Sequence, residues 1–264
     1  MSAWSAVHGI VARDLARSMR QTSRLLGGVA RPFMWLLLVG TGYNAIAKLD
    51  SGLPYQAFVF PGIIVMAALF GGTLTAVSTV YDREFGMLRL MLASPAGPHA
   101  VLAGRAVAAT LVGVLQGGIV LAFAPLVLHL SLERWLAGLA ALAAVSAMSA
   151  MLGLLMAARI RSVENFAGII NVVLFPLLFL SGALYPTDGM PPALRVIARA
   201  NPVTYAVDLV RHALSQPAEV GLLTAAGVVL GVLVLAFALA ALLFDPEQRF
   251  FQRRPAAGSA LSSL

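Results

Sequence analysis

The chain has no cysteine, one lysine and four histidines among its 264 residues. Without cysteine there is no disulfide framework, no thiolate nucleophile and no Cys-ligated metal. The one lysine, Lys48, is followed by Leu49 and lacks the glycine pattern of a phosphate-binding loop. His8, His99, His129 and His212 are too scattered to suggest a metal site, and neither HExxH nor GxSxG occurs. These absences predict a chain that is not itself an enzyme and binds no cofactor or metal of its own.

Charge is scarce too. Only 11% of residues are charged, 60% are hydrophobic, and the mean hydropathy is +0.89. A soluble domain of this length cannot cover its surface with so little charge, so the fold class is an all-α integral membrane protein. The first 27 residues carry Arg13, Arg17, Arg20 and Arg24 and no apolar core before a small-residue cleavage site, so they predict no cleaved leader.

Six apolar segments read as transmembrane helices: 32–47, 57–80, 101–128, 135–158, 166–184 and 221–244, the first and fifth near the lower length limit. The chain is then one transmembrane domain, 1–264. It divides into an N-terminal amphipathic helix (1–31), a six-helix bundle (32–244) and a tail (245–264). With the N-terminus inside, thirteen of the eighteen Lys and Arg, Arg105 and Arg31 among them, fall on the cytoplasmic side. Both termini are therefore expected in the cytoplasm. The net charge of +7 tracks membrane sides instead of gathering on one soluble face, which excludes a nucleic-acid partner.

Arg13, Arg17, Arg20 and Arg24 follow i, i+4, i+7, i+11 and form one helical stripe opposite Trp4, Val11, Leu15, Met19 and Leu26. This pattern suits a helix lying at the bilayer surface with its cations toward anionic lipid; packing on its own bundle is the other reading. The span interiors read as free of ionisable groups, their polar residues being neutral: Asn44, Thr73, Thr75, Ser78, Gln116, Ser146, Ser149, Asn171 and Ser181. An ion-coupled carrier commonly places ionisable side chains there, so uphill transport would draw its energy from elsewhere. Gly113/Gly117 and Gly227/Gly231 form GxxxG pairs, most simply close helix contacts.

Between the second and third spans stands "DREFGMLRLMLASP", Asp82 to Pro95. Wound as one helix over Tyr81–Leu92, it places Tyr81, Phe85, Leu88 and Leu92 on one face and Asp82, Gly86 and Arg89 opposite. The pattern alone suits a transmitting element or an interfacial linker equally. A second segment, 185–219, offers Pro191-Pro192 to start one short helix and Asn201-Pro202 to cap and start another, with Asp208 and Arg211 paired at i, i+3.

"DREFGMLRLMLASP" resembles the signature after the second span of type-2 ATP-binding-cassette (ABC) export permeases. "NPVTYAVDLVRHAL", Asn201 to Leu214, resembles their segment before the last span. Asp82 departs from the commoner Glu, Met87 from Thr, and Arg89 from an acidic residue.

The resemblance covers nearly the whole chain. It implies the permease subunit of a bacterial ABC exporter in the inner membrane, paired with a second permease as homodimer or heterodimer. Two separate ATPase subunits would hold ATP and Mg. It implies that Asp82, Arg83, Glu84, Phe85, Gly86, Leu88 and Arg89 form a coupling helix in an ATPase groove, Arg83 and Glu84 by charge and Phe85 and Leu88 by packing. Arg159, Arg161 and Glu164 offer a second cytoplasmic contact. Asn201, Pro202, Thr204, Tyr205, Asp208 and Arg211 would form short re-entrant helices closing the exit, where an external loop is the simpler reading. The cargo would be amphipathic, lipid-linked or drug-like. An ion-gradient carrier and a non-transporting scaffold are the alternatives.

Overall fold

The computed structural model describes residues 3–44, 54–92, 97–128 and 130–252, without the side chains of Ala3, Arg24, Asn44, Arg89, Leu92 and 245–252. Lys48, the end of the expected first span and the tail from 253 lie outside the described residues. Helices account for nearly all the rest, and no strand occurs among the described residues.

The N-terminal amphipathic helix α1 (Ala3–Arg20) is shorter than the expected 1–31. A break at Gln21 starts α2 (Thr22–Met34), which continues through a wide π turn at Trp35–Gly40 into α3 (Thr41–Asn44). The second span comprises α4 (Tyr55–Thr75) and α5 (Val77–Glu84), followed by the short α6 (Met87–Leu92). Then come α7 (Gly97–Ala122), α8 (Ala124–Leu128), α9 (Leu132–Arg159) and α10 (Val163–Phe179). Two short helices, α11 (Pro192–Ala200) and α12 (Pro202–Ala213), precede α13 (Leu222–Gln252).

Five helical stretches are long and apolar enough to cross a membrane: Leu25–Tyr43, Tyr55–Glu84, Gly97–Leu128, Leu132–Arg159 and Leu222–Phe244. The expected fifth span, 166–184, is not one helix. Its apolar run continues, but α10 stops at Phe179 after 17 residues, and Gly182 adopts φ +77° in the turn beyond. At about 1.5 Å per residue, α10 is about 25 Å long.

The stretch Tyr55–Glu84 is the central post. Of its most apolar window 89% is buried, against 22% for Leu25–Tyr43 and for Leu222–Phe244. A helix apolar on every side finds no solvent face and is enclosed. Helices α7 and α9 pack against α4 and each other, α13 closes on α9, and α1 lies along α7. Gly113 and Gly117 face Ser146 and Leu142 of α9, so that GxxxG serves packing within the chain; a Cβ at Gly227 or Gly231 would have nothing within 4 Å among the described residues.

The post loosens at Ala76. Thr75 Oγ1 donates to Gly71 O at 2.7 Å and Ser78 Oγ to Thr75 O at 2.8 Å, back-bonding that bends helices. Ser149 and Asn171 likewise donate to carbonyls of their own helices, at 2.7 and 2.9 Å. Gln116 Oε1 and Ser146 Oγ are buried without a hydrogen-bond partner among the described residues.

Candidate functional site

Two ionic clusters bracket the central post. One holds Asp82, near its C-terminal end; the other holds Arg211, whose guanidinium lies 4.6 Å from the Phe58 ring centroid near its start. From residue 58 to 82 a helix rises about 36 Å, a little more than the roughly 30 Å hydrocarbon core. Polar clusters at that separation match the spacing of the two membrane boundaries.

At the first cluster, three consecutive residues each reach a different part of the bundle. Buried Asp82 accepts from Arg105 Nη2 of α7 at 2.6 Å, and from Arg13 Nη2 and Arg17 Nη1 of α1 at 3.1 and 3.0 Å. Arg105 also donates to Thr79 Oγ1 at 2.9 Å, and Arg13 to Asp14 at 2.7 Å. Burial lowers the Arg13 pKa, but the charges and hydrogen bonds of Asp14 and Asp82 outweigh it and raise the group above the ordinary arginine value. Arg83 donates to the carbonyls of Ala157 and Ile160 at the C-terminus of α9, where the helix dipole favours a cation. Its guanidinium lies 5.7 Å from the Phe244 ring of α13. Glu84 Oε2 accepts from Val163 N at 3.2 Å, at the N-terminus of α10, where an anion is favoured.

The expected coupling residues do not lie on one helix. Tyr81–Leu92 is two helices separated at Phe85 and Gly86, because Gly86 takes φ +77°. Asp82 faces inward, and Leu88 is 0% exposed in the core, so neither is on the outer face. Among the described side chains, Phe85 points outward, 67% exposed and 4.4 Å from the Tyr81 ring, with Met87, Leu90 and the carboxylate-bearing Glu84 also exposed. Arg13 and Arg17 turn toward Asp82 instead of away from the bundle, Arg20 is exposed, and the Arg24 and Arg89 side chains are outside the described ones. Arg105 is not a peripheral topology charge. It is buried in α7, and its placement within an otherwise apolar run was the available signal.

A Cβ at Gly86 would meet nothing within 4 Å among the described residues, so Gly86→Ala tests backbone strain. Forcing alanine into the left-handed region is expected to cost about 1–2 kcal/mol, read as a lower unfolding midpoint, with Gly86→Asn milder.

At the opposite end, Asn201 caps α12 by accepting from Val203 N at 3.0 Å and donates through Nδ2 to Leu177 O at 2.6 Å, with Pro202 in the first turn. Thr204 Oγ1 donates to Ala198 O at 2.7 Å, and Tyr205 OH to Arg199 O at 2.8 Å, tying α12 to α11. Arg211 donates to Asp208 Oδ1 at 3.2 Å and to Gly182 O at 2.8 Å. Asp208 Oδ2 accepts from the backbone of Glu219 and Val220 at 3.1 and 2.9 Å, and Glu219 in turn accepts from Thr187 N at 2.8 Å. Helix α12 is largely buried against α4, α9 and α13. The expected cap and ion pair are therefore present; Gly182, Thr187 and Glu219 complete a knot that sequence spacing did not indicate.

A family model described as ABC-2 type transporter matches residues 6–215. Nodulation protein J of Rhizobium leguminosarum bv. viciae is 29% identical over 210 residues, 77% of this chain and 80% of the relative. The inner membrane transport permease YadH of Escherichia coli (strain K12) is 23% identical over 238 residues, 89% of this chain and 93% of the relative.

Proposed function

The chain belongs to the ABC-2 type transporter family as a membrane transport permease, and we propose that it is the permease subunit of a bacterial ABC exporter. In this reading a separate ATPase holds ATP and Mg and docks on the Phe85–Leu90 surface. Two ATPase copies serve two permease subunits, and both termini of this chain lie in the cytoplasm of an inner-membrane protein. Helix α10 completes six spans, with α11 and α12 re-entering from the outside.

The observation that carries the proposal is the wiring behind the exposed Phe85. A push on that aromatic reaches α1 and α7 through Asp82, α9 through Arg83 and α10 through Glu84. Such a joint converts one docking event into a movement of several helix ends. Cargo is amphipathic, lipid-linked or drug-like, suited to an interior whose hydroxyls are largely engaged by their own helices.

A second permease subunit covers α10. Asn171 is exposed there beside Val172, and an amide facing lipid is costly, whereas one facing another helix finds partners.

The test is co-purification, in mild detergent, with the ATPase encoded nearest to this chain. Phe85→Ala is expected to weaken capture at least about tenfold while leaving the unfolding midpoint unchanged. Glu84→Arg is expected to weaken it too, with some loss of stability, because it also removes the Val163 bond. Wild type that captures no ATPase would sink the proposal and favour a gradient-driven carrier or a scaffold.

A further inference from the structure

Helices α9 and α13 leave two apolar grooves between them, in line along the outer face of the bundle. One, of about 410 Å³, is lined by α9 from Ala137 to Ala144, by α13 from Leu222 to Leu230, and by Leu209 and His212 of the short helix α12. The other, of about 330 Å³, continues past Ala147 and Met151 of α9 toward Phe237 of α13, with α7 as its floor. From Ala137 to Met151 the helix rises about 21 Å, longer than the roughly 15 Å of one leaflet's hydrocarbon.

Charge is confined to one end. Arg134 stands at the mouth of the first groove, exposed and without an ion pair among the described residues. Glu133 is its sequence neighbour, but adjacent helical positions do not share a face. The carboxylates nearest along the α12 side are engaged: Asp208 with Arg211 and two backbone amides, Glu219 with Thr187. His212 sits 2.7 Å from Val220 O through Nε2, which must donate there, so the cation available is Arg134.

We propose that this furrow is a binding site for an anionic phospholipid, with its phosphate on Arg134 and an acyl chain along α9 and α13. A cation at one end of an apolar furrow longer than a leaflet complements a molecule with one anionic head and a long chain. Because Leu209 and His212 belong to α12, the bound chain props the short helix that carries the Asp208–Arg211 pair. The proposal does not depend on the ATPase reading.

The full chain, purified in mild detergent, would be mixed with phosphatidylglycerol or phosphatidylcholine and the retained lipid counted by native mass spectrometry. Wild type is expected to retain one phosphatidylglycerol in preference to phosphatidylcholine. Arg134→Gln should cut that preference about fivefold, the effect of one cation near a headgroup. Ala144→Phe, which fills the furrow and spares Arg134, should cut retention of both lipids. Arg199→Gln, exposed on α11 and not lining the furrow, should change neither.

Equal retention of the two lipids by wild type would overturn the proposal, as would an unchanged preference in Arg134→Gln. So would disulfide cross-linking of two chains through Leu230→Cys in bilayers, which would make the face a subunit contact.

Discussion

Asp82→Asn is expected to lower the stability of the folded permease by about 3–5 kcal/mol, the cost of removing one partner from a buried ion pair. The substitution keeps the shape and deletes the charge that three guanidiniums share. Those guanidiniums are not equivalent. The Arg105 side chain is 1% exposed, with its Nε lacking a partner among the described residues, whereas those of Arg13 and Arg17 are 40% and 32% exposed. Arg13 and Arg17 can turn to water and headgroups, but Arg105 cannot.

Most of the loss should therefore belong to Arg105. In a double-mutant cycle, Asp82→Asn with Arg105→Met should show a favourable coupling of about 2 kcal/mol. The same cycle with Arg17→Met should give about 1 kcal/mol or less. Thermal or denaturant unfolding in detergent supplies the numbers. Equal couplings would mean that the three arginines share the charge evenly, and a wild-type midpoint for Asp82→Asn would remove the cluster from the structural account.

The sequence made the periodic features legible and left the long-range ones hidden. Long apolar runs announced six crossing helices, of which five are long and apolar enough among the described residues, and Asn201-Pro202 announced a cap and a helix start because that chemistry is local. The arginine stripe of α1 was visible as a face, but periodicity says which residues share a face and not what that face meets. Asp82 and Arg105 are 23 positions apart, so their pairing depends on how α7 returns beside α5. Gly86 could sit within a helix or break one, and only its positive φ decides. The fifth apolar run misled for a related reason: hydropathy continues to Leu184, but Gly182 turns the chain after Phe179.

An ion pair stands at each end of the central post, Asp82–Arg105 at one and Asp208–Arg211 of α12 at the other, and the two should respond differently to repair. Arg211→Met deletes the bonds to Asp208 and to Gly182 O and the contact over Phe58, and should cost about 3–5 kcal/mol. Replacing both partners, as Asp208→Leu with Arg211→Met, would commonly restore a buried pair. Here it should fail, because Asp208 Oδ2 also accepts from Glu219 N and Val220 N. Those two partly buried amides lose their acceptor at about 1 kcal/mol apiece, and the Glu219 turn that binds Thr187 loosens with them. The coupling at Asp208–Arg211 is thus expected to fall well short of that at Asp82–Arg105.

Function should separate along the same line. Phe85 lies at the far end of the post from Arg211, so Arg211→Met should leave ATPase capture intact while abolishing export, with ATP hydrolysis continuing. A parallel loss of capture would mean that the two ends move as one rigid body; retained export would mean that α12 does not close the path.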